Sequence, residues 1–234
     1  MSEVSFLQKG NGKDLLFLHG YLSSKEAFAA QIGYFSKFYK VTAIDFLGFG
    51  QSAKLTTPFS VEDYARHTET IIKELGLEKP HVIAHSFGCR VAVKLASLEK
   101  GIFDKIVLTG PAGIILPRGR KYKRKVRLYR LVKKIAPKFA ERKFGSKEYR
   151  TLSNVMKESY KKIVNEDLRE DAKRVENPVL IVEGERDFVT TEQEAQIYLK
   201  AFPNAEMKRI EGGHFAFAEY PIAFNLIAEE FLYG

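Results

Sequence analysis

One corner of this 234-residue chain limits the folds open to it more than any other stretch. The segment Val82-Ile83-Ala84-His85-Ser86-Phe87-Gly88-Cys89-Arg90-Val91-Ala92 passes from an apolar strand-like run into a small-residue helix-like run, with a serine at the turn. Ala84 and Gly88 flank that serine two positions to either side. A strand that turns sharply into a helix crowds its own backbone, so those positions must be small. The same crowding pushes the serine into a strained, exposed corner at the end of a sheet. The next amide, Phe87, opens a helix, where N–H groups lack intrahelical acceptors and favour negative charge. One turn thus supplies a candidate nucleophile and half of an oxyanion site. The pattern departs from Gly-x-Ser-x-Gly only in having Ala84 at its first position.

The rest of the chain alternates strand-like apolar runs with amphipathic helix-like stretches, which predicts a mostly parallel, twisted α/β sheet covered on both faces. Strands are expected at Val4–Leu7, Leu15–His19, Val41–Asp45, His81–Ala84, Lys105–Thr109, Val179–Glu183 and Ala205–Ile210. Helices are expected at Ser24–Phe38, Val61–Leu75, Gly88–Leu98, Glu192–Ala201 and Pro221–Leu232, with Pro221 suited to a first helical turn. The length fits one α/β domain with an insertion. No apolar run reaches the roughly 18 residues of a membrane span. The start, Met1-Ser2-Glu3-Val4, has neither a basic head nor an apolar signal core, and a cytoplasmic location is the expectation. The single cysteine, Cys89, excludes an internal disulfide and reads as a small buried hydrophobe.

Between Thr109 and Pro178 the alternation stops. Residues 111–176 hold 21 of the 38 basic residues but only 8 of the 29 acidic ones, so all of the net charge of +9 originates there. Tyr122, Val126, Tyr129, Val132 and Ile135 recur at helical spacing in a basic background that Pro137 would end. Leu152, Val155, Met156, Ser159 and Ile163 mark a second amphipathic helix, and Asp167–Arg174 a third. Residues 111–176 therefore read as a basic helical cap inserted between core segments 1–110 and 177–234. Its inner face would be built from residues such as Ile114, Ile115, Leu116, Tyr129 and Met156.

A serine hydroxyl needs a base to take its proton and a third group to orient that base. Of five histidines, His214 lies in Glu211-Gly212-Gly213-His214-Phe215, a turn after the last expected strand from which it can reach over the strand ends. His67 falls on a polar helix and reads as surface-exposed. His81 starts the strand far from Ser86, and the His85 side chain points to the opposite face. His19 is a weaker candidate base and better suited to bracing its loop. Asp187, just past a strand, is the candidate orienting acid, with Glu185 as the local competitor. In His19-Gly20-Tyr21, Gly20 lets the backbone turn so that the Tyr21 amide can join the Phe87 amide as an oxyanion donor. Arg90, one turn into the helix, admits a carboxylate contact as well as a solvent-facing or packing role.

On these residues the chain resembles the α/β-hydrolase family over nearly its whole length. The matching pieces are Leu18-His19-Gly20, Asp45-Phe46-Leu47-Gly48-Phe49-Gly50-Gln51-Ser52, Ala84-His85-Ser86-Phe87-Gly88, Pro178–Asp187, and Gly213-His214 with Glu219-Tyr220-Pro221. The resemblance implies that Ser86, activated by His214, attacks an acyl carbonyl while the Tyr21 and Phe87 amides hold the oxyanion. His214 then protonates the leaving group and activates water. Asp187 orients His214, and Asp45 ties down its own glycine-rich turn. It implies neither an organic cofactor nor a metal, and the histidines and one cysteine form no zinc set. Only one strand fits before the Gly10-Asn11-Gly12 turn where family members often have a hairpin.

The implied activity is a serine hydrolase acting on a small or medium carboxylic ester. Cleavage of a carbon–carbon bond, an amide or a thioester on the same residues is the alternative, as is a non-catalytic ligand receptor on this fold. The expected partner is a small acyl substrate, with an anionic one allowed for by the basic cap. The Arg118–Lys134 run reads as a solvated helix face, as an attractor of anionic substrate, or as a contact with an acidic membrane surface. No motif for reading nucleic acid accompanies the charge.

Overall fold

The structure, a computed structural model, describes residues 3–117, 119 and 147–234. The expected helix at Tyr122–Ile135, Pro137, and the Arg118–Lys134 run (Gly119 apart) fall outside them. In chain order the described elements are β1 (Phe6–Lys9), β2 (Asp14–Leu18), a 3-10 turn (Lys25–Phe28) leading into α1 (Ala29–Phe35), β3 (Lys40–Ile44), α2 (Val61–Glu74), β4 (His81–His85), α3 (Phe87–Leu98) and β5 (Ile106–Thr109). Then come α4 (Lys147–Thr151), α5 (Asn154–Val164), α6 (Arg169–Ala172), β6 (Val179–Gly184), α7 (Glu192–Ala201), β7 (Ala205–Ile210), α8 (Ala216–Glu219) and α9 (Pro221–Tyr233).

The strands form one sheet in the order β1-β3-β2-β4-β5-β6-β7. All neighbours pair in parallel except β1, which runs antiparallel to β3. Every residue of β2, β4, β5 and β6 is buried. A parallel strand covered on both faces has no solvent side, which is why these segments read as near-continuous apolar runs. Leu16, Leu18, Val82, Ala84, Leu108 and Ile181 face one core, packed with residues of α2, α3 and α7. Leu15, Phe17, Ile83, Val107, Leu180 and Val182 face the other, packed with α1 and α9.

Most expected boundaries shift by one or two residues, and the larger departures have local causes. The first strand is Phe6–Lys9 rather than Val4–Leu7, because Val4 turns into the core while β1 pairs at the exposed edge through residues that include Gln8 and Lys9. The helix expected from Ser24 to Phe38 is a 3-10 turn followed by α1, and Asp45 holds its start through both the Lys25 amide (2.7 Å) and the Lys25 ammonium (2.8 Å). The helix expected over Asp167–Arg174 is reduced to α6, because the Asp167 carboxylate takes the Arg169 amide at 3.0 Å and the Ile115 amide at 2.9 Å. His67 is half-buried rather than exposed. Its ring lies edge-on to Phe59, and its Nδ1 is enclosed without a partner among the described residues. The amphipathic α5 does form, capped by the Ser153 hydroxyl on the Met156 amide, and buries Met156, Ser159 and Ile163. Among the described residues no helix is long and apolar enough to cross a membrane.

Candidate active site

The C-terminal ends of the parallel strands collect every residue singled out for chemistry, as open α/β sheets do at their ligand sites. Ser86 follows β4 directly at φ 50° and ψ −105°, outside the comfortable regions for a side-chain-bearing residue. The compression around it is measurable at Gly88: a Cβ there would stand 2.1 Å from the Leu18 carbonyl oxygen. Only glycine lets α3 start this close to β2.

The Ser86 Oγ lies 3.0 Å from His214 Nε2, and His214 Nδ1 lies 2.7 Å from Asp187 Oδ2. The consistent proton assignment has Nδ1–H donating to the carboxylate and Nε2 accepting from the serine hydroxyl. Asp187 accepts three further hydrogen bonds, from the Val189 amide (2.7 Å), the Thr190 amide (3.0 Å) and the Thr190 hydroxyl (2.9 Å). Burial alone would raise its pKa. The hydrogen bonds from His214, Val189 and Thr190 outweigh burial and hold the carboxyl below its ordinary value. Glu185, the competing acid, is exposed.

The Tyr21 and Phe87 amides have no acceptor among the described residues, and Phe87 N–H heads α3, where no intrahelical acceptor exists. His19 is committed to bracing the loop. Its Nδ1–H donates to the Gly20 carbonyl at 2.7 Å and its Nε2 accepts the Phe46 amide at 3.0 Å. Burial pulls its pKa down to about 4, so it is neutral at physiological pH. Asp45 binds the Gln51 amide at 2.9 Å and the Lys25 ammonium, which fixes the turn that follows it. Cys89 is fully buried, and burial raises its thiol pKa.

Thr190, His85 and Gly110 join the site without a sequence-based assignment to it, and Arg90, open between readings, joins them. Thr190 contacts Asp187 and lies 3.2 Å from His214 Nδ1; its i+3 offset from an aspartate in a turn was the available signal. His85 donates from Nε2 to the His214 carbonyl at 2.9 Å, and burial with the neighbouring His214 lowers its pKa to about 3. Gly110, at φ +52°, ends β5 beneath the Asp187–His214 pair. Arg90 is not solvent-facing: it is buried and lines a cavity of about 400 Å³ with Tyr21, Ser86, Phe87, Tyr160 and His214. No cluster of metal-ligating side chains occurs among the described residues.

A family model described as the alpha/beta hydrolase fold matches residues 14–169. The chain is 30% identical over 132 residues to the probable lysophospholipase BODYGUARD 3 of Arabidopsis thaliana, covering 54% of this chain and about a quarter (26%) of that protein's length. It is 34% identical over 106 residues to the (E)-2-((N-methylformamido)methylene)succinate hydrolase of Acinetobacter baylyi, covering 45% of this chain and 40% of that one. The crystal structure of an enol-lactonase from Burkholderia xenovorans superposes with a TM-score of 0.78 at 19% identity, over 99% of this chain and 96% of the other.

Proposed function

This chain belongs to the alpha/beta hydrolase family, and on that footing we propose that it is a serine hydrolase cleaving a small or medium carboxylic ester. The observation that carries the reading is the continuous relay from the Ser86 hydroxyl through His214 to Asp187, at 3.0 and 2.7 Å, in the wall of a cavity. Ser86 Oγ attacks the acyl carbonyl as its proton passes to His214 Nε2. The tetrahedral oxyanion forms beside the Tyr21 and Phe87 amides, which have no other acceptor among the described residues. His214 returns the proton to the leaving alcohol. It then draws a proton from water, which attacks the acyl-serine ester; the acid leaves as His214 passes that proton to Ser86 Oγ. Asp187 keeps Nδ1 protonated and stabilises the imidazolium.

Residues 111–176 act in this reading as a cap over the cavity. Tyr160, Ile163 and Val164 of α5 in its wall support that role. A second reading keeps the same residues and changes the bond to a carbon–carbon bond beside a carbonyl, an amide or a thioester. Its support is that the Acinetobacter relative is named for a substituted succinate rather than for an ester.

The test is labelling by a fluorophosphonate probe, followed by an ester panel of increasing acyl length. Labelling and turnover in the wild type, with Ser86→Ala lowering kcat by about four to six orders of magnitude, is the expected result. A folded wild type that neither labels nor turns over any ester would displace this reading in favour of a ligand receptor.

A further inference from the structure

Arg90 sits one helical turn beyond Ser86, a rise of about 5.4 Å along α3. The residue is only 8% exposed. A buried guanidinium is costly unless its donors are used and its charge is met. Its Nη1 donates to the Ile163 carbonyl at 2.9 Å and the Glu166 carbonyl at 2.8 Å, at the C-terminal end of α5. Those contacts use one nitrogen of three. Nε and Nη2 carry no hydrogen bond among the described residues, and neither is fully enclosed by protein.

The charge is met only at a distance. No carboxylate forms an ion pair with Arg90 among the described residues. Glu166, Glu194 and Asp167 lie near enough to act on it electrostatically, but none pairs with it directly and each has partners of its own. Glu166 pairs with Lys94 at 2.8 Å. Glu194, itself in the cavity wall, caps α7 by accepting the Thr191 amide at 2.7 Å and hydroxyl at 3.0 Å. Asp167 holds the Ile115 and Arg169 amides. The cavity thus contains a planar cation with three open N–H donors, within one helical turn of the serine.

We propose that Arg90 binds a carboxylate on the substrate, so that the preferred substrate is an acyl compound with a carboxylate a few atoms from the scissile carbonyl. Both groups line the same cavity, and the substrate pairs below read the spacer between them. Guanidinium and carboxylate match as a two-point pair, which would also fix how the acyl group approaches Ser86. The inference rests on Ser86 being the nucleophile.

The experiment compares mono-4-nitrophenyl glutarate with 4-nitrophenyl pentanoate, which share acyl length and leaving group and differ in the terminal charge. A second pair, 4-acetoxybutanoate and butyl acetate, places the carboxylate on the alcohol side. In the wild type, kcat/KM for the anionic member of one pair should exceed that of the neutral member by about 10- to 100-fold, mainly through KM. Arg90→Met should bring that ratio close to one, and Arg90→Lys should keep only part of it, because an ammonium lacks the planar fork. A purely structural Arg90 would lower both members equally and leave the ratio unchanged, which overturns the proposal. So would a wild-type ratio at or below one in both pairs, a result that needs no folded variant. Calorimetric binding of glutarate separates the two failures. If no ester is hydrolysed but glutarate binds wild type and not Arg90→Met, the serine-hydrolase reading falls and the carboxylate site stands.

Discussion

Glu183 gives a prediction that depends on the energetics of the core rather than on the reaction. It lies in β6, is 1% exposed, and neither carboxyl oxygen has a hydrogen-bond partner among the described residues. Its opposite number in β7, Arg209, has its guanidinium 3.6 Å from Glu192. Burial, reinforced by the nearby Asp187, raises the Glu183 pKa from 4.5 to about 8. The folded chain therefore keeps this proton up to about pH 8, whereas the unfolded chain releases it near 4.5. Between those values the folded state binds more protons, so this residue makes stability fall as pH rises. The full difference corresponds to at most about 5 kcal/mol, and relaxation and water penetration should leave about 2–4 kcal/mol. Glu183→Met removes the ionisable group at similar volume. Its Tm advantage over wild type should grow by about 5–10 °C between pH 5 and pH 9, since a chain of this size shifts about 2–4 °C per kcal/mol. Thermal unfolding followed by circular dichroism across that range is the assay. Parallel Tm curves for the two proteins would refute the argument, because Glu183 would then carry the same charge in both folded and unfolded states.

Two further outcomes are expected. Gly110→Ala places a Cβ 3.1 Å from His214 Nδ1 and 3.2 Å from Asp187 Oδ2 at a φ of +52°, so kcat should fall about 10- to 100-fold with a stability loss of only about 1–2 kcal/mol; steady-state kinetics alongside urea unfolding would check both. Lys25→Met leaves the buried Asp45 without its cation and should cost about 3–5 kcal/mol in urea unfolding, with part of the loss recovered in the Lys25→Met, Asp45→Asn double variant.

The parts of this fold that the sequence made legible are those whose burial is settled by the strand itself. β2, β4, β5 and β6 are enclosed on both faces, so their apolar runs had no other reading. α1 and α6 are shorter than the expected helices, because periodicity marks the core-facing residues but not where acceptors such as Asp45 and Asp167 fix the chain as it enters a helix. Ser86, Asp187 and His214 could be picked out because each follows a strand end. Arg90 could not be resolved between its readings, because its burial depends on carbonyls of a segment more than 70 residues away.

Strand order explains why Gly110 belongs to the site although nothing in its own neighbourhood announces it. β5 lies between β4, which delivers Ser86, and β6, which delivers Asp187. With strands spaced about 4.8 Å apart, the two strand ends are about 10 Å from each other, too far for a carboxylate to act on the serine directly. An imidazole is needed to cover that gap, and it arrives from the turn after β7, crossing back over β6 and β5. The ring then occupies the space above the end of β5, where a Cβ would already press to 3.1 Å from its Nδ1. A glycine at that strand end is thus a consequence of the topology. It could be found only by knowing that β5 is the middle strand of the three.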